Sequence, residues 1–193
     1  MLVTVLLVQP VYSSAEKGSD TLNGLTFNGL FGYTSASGGV AHFNDEGYVS
    51  RLSLGVGTPT SIENLTVMGG VVYGYYDVNA VADKNPSRNV EEGSSHSLGV
   101  DLMLRYTIWH TPSASYHLEG GAGFQQMLSN PPFPADGSDE NFTVFIGPGT
   151  LIPMAPDKRL RISLQYFHIS NAGLVSDNSG YDGLQLVVGF EWN

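Results

Sequence analysis

A two-residue repeat limits the fold of this chain more than any other feature. Leu98, Val100, Leu102, Leu104, Tyr106 and Ile108 alternate with Gly99, Asp101, Met103, Arg105 and Thr107. Successive side chains of an extended strand point to opposite faces, so one face of this segment is apolar and the other charged or small. The pattern returns as Leu52, Leu54 and Val56, as Tyr116, Leu118, Ala122 and Phe124, as Leu160, Ile162, Leu164 and Tyr166, and as Leu184, Leu186, Val188, Phe190 and Trp192. Helical periodicity is hard to find anywhere. Such runs predict eight strands, over 24–34, 47–57, 65–77, 96–109, 114–127, 141–152, 159–170 and 181–193. Eight antiparallel strands of about ten residues can close into a small barrel that leaves no exposed edge.

The connections alternate in length. Those around 35–46, 78–95, 128–140 and 171–180 are long and rich in Gly, Ser, Asn and Asp, whereas 58–64, 110–113 and 153–158 are short and carry Pro59, Pro112 and Pro156 as turn formers. Long loops at one end and short turns at the other are the layout of an outer-membrane barrel. A soluble lipid-binding barrel also alternates, but with its apolar face turned inward, and periodicity alone does not distinguish the two. Composition favours the lipid-facing version. Only 13% of residues are charged, against about 25% in ordinary soluble domains. Asp101, Arg105, Glu119, Arg159 and Arg161 are expected to form an interior charge network, sharing their face with glycines. Tyr73, Tyr75, Tyr106, Trp109 and Trp192 sit at strand ends, where a membrane barrel carries aromatic girdles. The fold expected is therefore all-β, an eight-stranded antiparallel outer-membrane β-barrel occupying residues 24–193 as one domain.

Several function classes drop out. A net charge of −10 argues against a nucleic-acid partner. Without cysteine there is no disulfide framework, thiolate metal site or cysteine nucleophile, and no apolar run is long enough for a membrane helix. His42, His96, His110 and His117 show no familiar ligand spacing, so neither a metal site nor an organic cofactor is expected. Residues 1–15 combine an apolar run from Leu2 to Val8 with Ser13 and Ala15 at the minus three and minus one positions of a cleavage site. They are similar to the end of a secretory signal, although a basic start is missing and an apolar N-terminal strand is the other reading.

The chemistry-bearing residues cluster where strand seven gives way to strand eight. His168 and Ser170 are two apart on an extended segment and project side by side, on the face of Leu160, Ile162 and Leu164. Asp182 shares the outward parity of Leu184, Leu186 and Val188, and so can lie beside His168 once the chain turns back. Polar groups at a membrane boundary are costly unless paired. A serine beside a histidine that a carboxylate orients is a constellation for acyl transfer. The competing reading is that these residues only mark where the strand emerges among headgroups.

The run His168-Ile169-Ser170-Asn171-Ala172-Gly173-Leu174, followed by Asn178 and Gly180, resembles the signature of the lipid A 3-O-deacylase family, PagL. The resemblance implies an eight-stranded outer-membrane barrel with its active site on the outer wall, hydrolysing the ester-linked acyl chain at position 3 of lipid A. It implies Ser170 as nucleophile and His168 as general base. Asn171, Gly173 and Asn178 would support the site or its oxyanion. The family's acid is a glutamate, matched here by the shorter Asp182. The implied partners are lipopolysaccharide of the outer leaflet and the membrane itself, with a homodimer left open. A non-catalytic structural or adhesive barrel and a soluble lipid-binding barrel are the alternatives.

Overall fold

The computed structural model describes residues 26–36, 46–80, 91–128, 139–174 and 181–192. Its eight strands are β1 (Thr26–Ala36), β2 (Glu46–Pro59), β3 (Leu65–Ala80), β4 (Glu91–His110), β5 (Ser115–Met127), β6 (Glu140–Ala155), β7 (Lys158–Ser170) and β8 (Tyr181–Trp192). Each pairs antiparallel with the next, and β8 pairs with β1 from Phe27↔Trp192 to Ser35↔Leu184, which closes the barrel. The reading of residues 1–15 as a signal lies outside the described residues.

The strands fall close to the expected segments. The largest departure is β4, which starts at Glu91 rather than near 96, paired with a β3 that runs on to Ala80. The added residues, Glu91-Glu92-Gly93-Ser94-Ser95, lack apolar alternation. A hairpin that continues beyond the hydrocarbon keeps its hydrogen-bond ladder but has no lipid to face, so the sequence signal fades while the strand goes on.

Side-chain orientation decides between the two barrels. Leu102, Leu164 and Leu186 are 60%, 49% and 48% exposed, while Arg105 and Arg161 are 4% and 1% exposed. Apolar residues thus form the outer wall, and the charged ones are buried inside among apolar residues such as Met103, Phe145 and Phe167, the reverse of a soluble barrel, which turns its charges to water. Exposed Trp109 and Tyr116 lie together near the short-turn end, ring centroids 5.7 Å apart, and Tyr106 and Trp192 are also outward. The short turns are built locally. Between β2 and β3, Thr60 Oγ1 accepts from the Ile62 amide at 3.1 Å and Asn64 takes a left-handed φ of 64°. Between β4 and β5, the Thr111 amide donates to the Ala114 carbonyl at 2.8 Å.

Inside, the expected charge network is present and has further members. Arg105 grips Glu191 through two nitrogens, at 3.0 and 2.5 Å. Arg161 Nη2 donates to Glu119 Oε1 at 2.5 Å, and Gln165 Nε2 donates to the same oxygen at 2.7 Å. His117 Nε2 lies 2.9 Å from Glu119 Oε2, and Arg159 reaches within 3.7 Å of Glu191 at the edge of the network. Higher in the barrel Arg51 bonds Asp101 and lies over the rings of Phe167 and Phe145, 4.9 and 5.7 Å from their centroids. The buried cations Arg51, Arg105 and Arg161 are therefore matched by Asp101, Glu119 and Glu191. Glycines make room for them: a Cβ on Gly123 would stand 1.9 Å from Asp101 Oδ1, and one on Gly149 would stand 2.4 Å from His117 Nε2.

Removing one member of a buried ion network leaves uncompensated charge, at a cost of about 3–5 kcal/mol. Glu119→Ala, which leaves Arg161 without its hydrogen-bonded carboxylate, is therefore expected to destabilise the barrel by about that amount, whereas Leu102→Ala on the lipid wall costs far less. Equilibrium urea unfolding in detergent or lipid vesicles measures the difference. Equal stability of the two variants would show that the interior charges do not depend on one another.

Candidate active site

Three polar side chains meet on the outer wall at the end of the barrel that carries the long connections. On β7 the inward set is Arg161, Ser163, Gln165, Phe167 and Ile169, all buried. His168 and Ser170 therefore take the opposite face, as the alternation predicts. The β7–β8 register pairs His168 directly with Asp182 and Ile169 with Tyr181. Directly opposed residues have Cβ atoms about 4.5–5.5 Å apart, so an imidazole and a carboxylate on this pair are held within reach.

Their contacts run in series. His168 Nδ1 lies 2.8 Å from Asp182 Oδ1, and His168 Nε2 lies 3.0 Å from Ser170 Oγ. An ionised carboxylate only accepts, so Nδ1 carries the hydrogen and donates it to Asp182. Nε2 is then the basic nitrogen and accepts from the Ser170 hydroxyl. His168 keeps a third of its side chain exposed and Asp182 a sixth, while Ser170 is only 9% exposed. The serine is recessed between its β6 partner Phe142 and the turn that follows it.

That turn begins with Asn171, whose side chain is buried and whose Oδ1 accepts from the Gly173 amide at 2.9 Å. Its carbonyl accepts from the Leu174 amide at 3.1 Å. Ala172 and Gly173 both adopt positive φ, 53° and 80°, a left-handed pair that reverses the chain just past the serine. Gly173 suits this backbone because it has no Cβ penalty there. Asn171 and Gly173 thus fix the backbone beside the hydroxyl, while Asn178 lies outside the described residues.

One member of the cluster has no counterpart in the sequence reading. Tyr166, two residues before His168 and on the same outward face, donates its phenolic hydroxyl to Asp182 Oδ1. A tyrosine on a lipid-facing strand reads first as an interfacial aromatic, and only the β7–β8 register reveals its partner. The residues beside Ser170 toward β5 are apolar: Phe142 and Val144 are partly exposed, and Phe124 packs edge-on against Phe142 at 5.6 Å. Among the described residues the other histidines are engaged elsewhere, His96 with Tyr73 Oη at 2.5 Å, His110 with Ser115 Oγ at 2.9 Å and His117 with Glu119, while His42 lies outside the described residues. Among the described residues no three His, Cys, Asp or Glu gather as a metal site.

The barrel has structural relatives. The crystal structure of the outer membrane enzyme PagL matches with a TM-score of 0.58 and 22% identity, over 85% of this chain and 97% of that one. The crystal structure of the outer membrane protein OprG from Pseudomonas aeruginosa matches with a TM-score of 0.50 and 12% identity, over 88% and 95% of the two chains. At these identities the likeness speaks for the barrel alone. Comparison with curated proteins gave no match. The family evidence comes from sequence: residues 64–191, from the turn before β3 almost to the end of β8, match the model of the family described as lipid A 3-O-deacylase (PagL). A match over about two thirds of the sequence places the chain in a family of bacterial outer-membrane ester hydrolases: it belongs to the lipid A 3-O-deacylase (PagL) family.

Proposed function

We propose that this protein hydrolyses the 3-O-acyl ester of lipid A in the outer leaflet with Ser170 as nucleophile, His168 as general base and Asp182 as the carboxylate that orients the imidazole. The observation that carries this reading is the unbroken series Asp182–His168–Ser170 on the outer wall, with contacts of 2.8 and 3.0 Å, in a chain of the deacylase family. Ser170 Oγ attacks the ester carbonyl while its proton passes to His168 Nε2, and Asp182 stabilises the imidazolium that forms. The oxyanion develops beside the turn of residues 171–174, whose backbone Asn171 holds in place. Well-placed donors in such a water-poor setting contribute about 3–4 kcal/mol each. Collapse expels the lipid A hydroxyl, which takes the proton back from His168. Water activated by the same imidazole then cleaves the acyl-serine and releases the fatty acid.

The orientation of the site suits this substrate. Ser170 ends β7 where it enters a long connection, and long connections mark the external end of such barrels, where lipid A resides. The ester would approach sideways, from within the leaflet, with its acyl chain along the apolar wall beside Phe142. Purified protein mixed with lipopolysaccharide in detergent tests the assignment: mass spectrometry of the lipid A is expected to show loss of one ester-linked acyl chain, from position 3. Loss from another position, or intact lipid A, would overturn it.

A further inference from the structure

We propose that Tyr166 is a positioning residue that clamps the Asp182 carboxylate against His168, so that the short aspartate performs the orienting role. The inference rests on the triad assignment above and adds a fourth side chain to it. Two donors converge on a single oxygen: the Tyr166 hydroxyl and His168 Nδ1 both bond Asp182 Oδ1. The register explains how. His168 faces Asp182 directly and Tyr166 faces Leu184, so Tyr166 reaches Asp182 along the diagonal, a span that aromatic side chains can bridge.

Physical chemistry requires something of this kind at this position. Tyr166 is 41% exposed on the outer wall, and a phenolic hydroxyl facing hydrocarbon must find an acceptor. Asp182 in turn stands where water is scarce, and a carboxylate with one donor and free rotation about its terminal bond would hold the imidazole loosely. The phenol supplies a second donor from the membrane side, in line with the strand, and fixes the carboxylate that His168 must meet. A glutamate, one methylene longer, would reach the imidazole from a different carboxylate position and would not depend on the same phenol. Tyr166 transfers no proton in this scheme. It acts through Asp182, and its effect belongs in kcat.

Initial rates of fatty-acid release from lipopolysaccharide in mixed micelles test the proposal with Tyr166→Phe, Asp182→Glu, the double variant and Ser170→Ala. Each is first checked for the heat-dependent gel mobility of a folded barrel. Tyr166→Phe is expected to lower kcat about tenfold, the loss of one hydrogen bond to a charged group, with KM changed by less than about twofold. In the Asp182→Glu background the same substitution is expected to cost less than about twofold. An unchanged kcat in Tyr166→Phe, a loss confined to KM, or an equal kcat loss in both backgrounds would overturn the clamp. Should Asp182→Glu be too slow to assay, the division between kcat and KM in the Asp182 background decides. Undiminished activity of Ser170→Ala would instead remove the triad itself, a result distinct from a silent Tyr166→Phe in an enzyme that needs its serine.

Discussion

Ser170→Ala is expected to reduce acyl release from lipid A by several orders of magnitude, on the order of 10⁶-fold if it behaves as other triads do when the serine is removed. The reason is chemical rather than structural. Without Oγ there is no covalent intermediate, and the imidazole and its carboxylate have no proton to move. Stability should barely change, because the hydroxyl makes one hydrogen bond to a partly exposed histidine, 3.0 Å away. Such a bond contributes about 0.5–1.5 kcal/mol, and the barrel is held by its eight-strand ladder and its interior ions. Parallel measurement of rate and urea midpoint therefore separates the two roles. A rate near that of the unaltered protein would take Ser170 out of the mechanism, and a large loss of stability would mean that the serine serves the turn at 171–174 rather than the chemistry.

Much of this architecture is legible in the sequence because a lipid-facing barrel obeys a strict rule at every second residue. The apolar residues from Leu98 to Ile108 and from Leu184 to Trp192 could be assigned to one face of the sheet from alternation alone, and Arg105, Glu119 and Arg161 to the other. Whether the apolar face lay inside or outside needed composition, since alternation is symmetric under that exchange. The line His168, Ser170 and Asp182 was legible for the same reason: parity fixes which face each residue takes. Parity does not fix register across the 171–180 connection. The direct opposition of His168 to Asp182, and with it the diagonal reach of Tyr166, depends on pairing that no local pattern encodes. The interior shows the same division. Arg51 and Glu191 carry the inward parity, but their pairing with Asp101 and Arg105 joins strands distant in sequence. Asn171 lies just past β7, where alternation gives no prediction, and its burial follows from the left-handed turn at Ala172 and Gly173.

Asp182→Asn is expected to cost up to about 10⁴-fold in kcat, as when other orienting carboxylates are replaced by their amide. The substitution keeps size and shape almost unchanged, so the loss comes from two electrical effects. An amide carries no charge to stabilise the imidazolium that forms when Ser170 gives up its proton. It also presents a donor as well as an acceptor, and if its NH₂ faces His168 the imidazole places its hydrogen on Nε2, toward Ser170, where a base is needed. Asp182→Glu keeps the charge and the acceptor-only character, and is expected to retain activity or raise it. The order Glu ≥ Asp ≫ Asn, read from kcat on lipopolysaccharide at neutral pH, is what an orienting carboxylate requires. Full activity in Asp182→Asn would leave His168 and Ser170 acting as a dyad, with the 2.8 Å contact to Asp182 a structural pairing at the membrane surface.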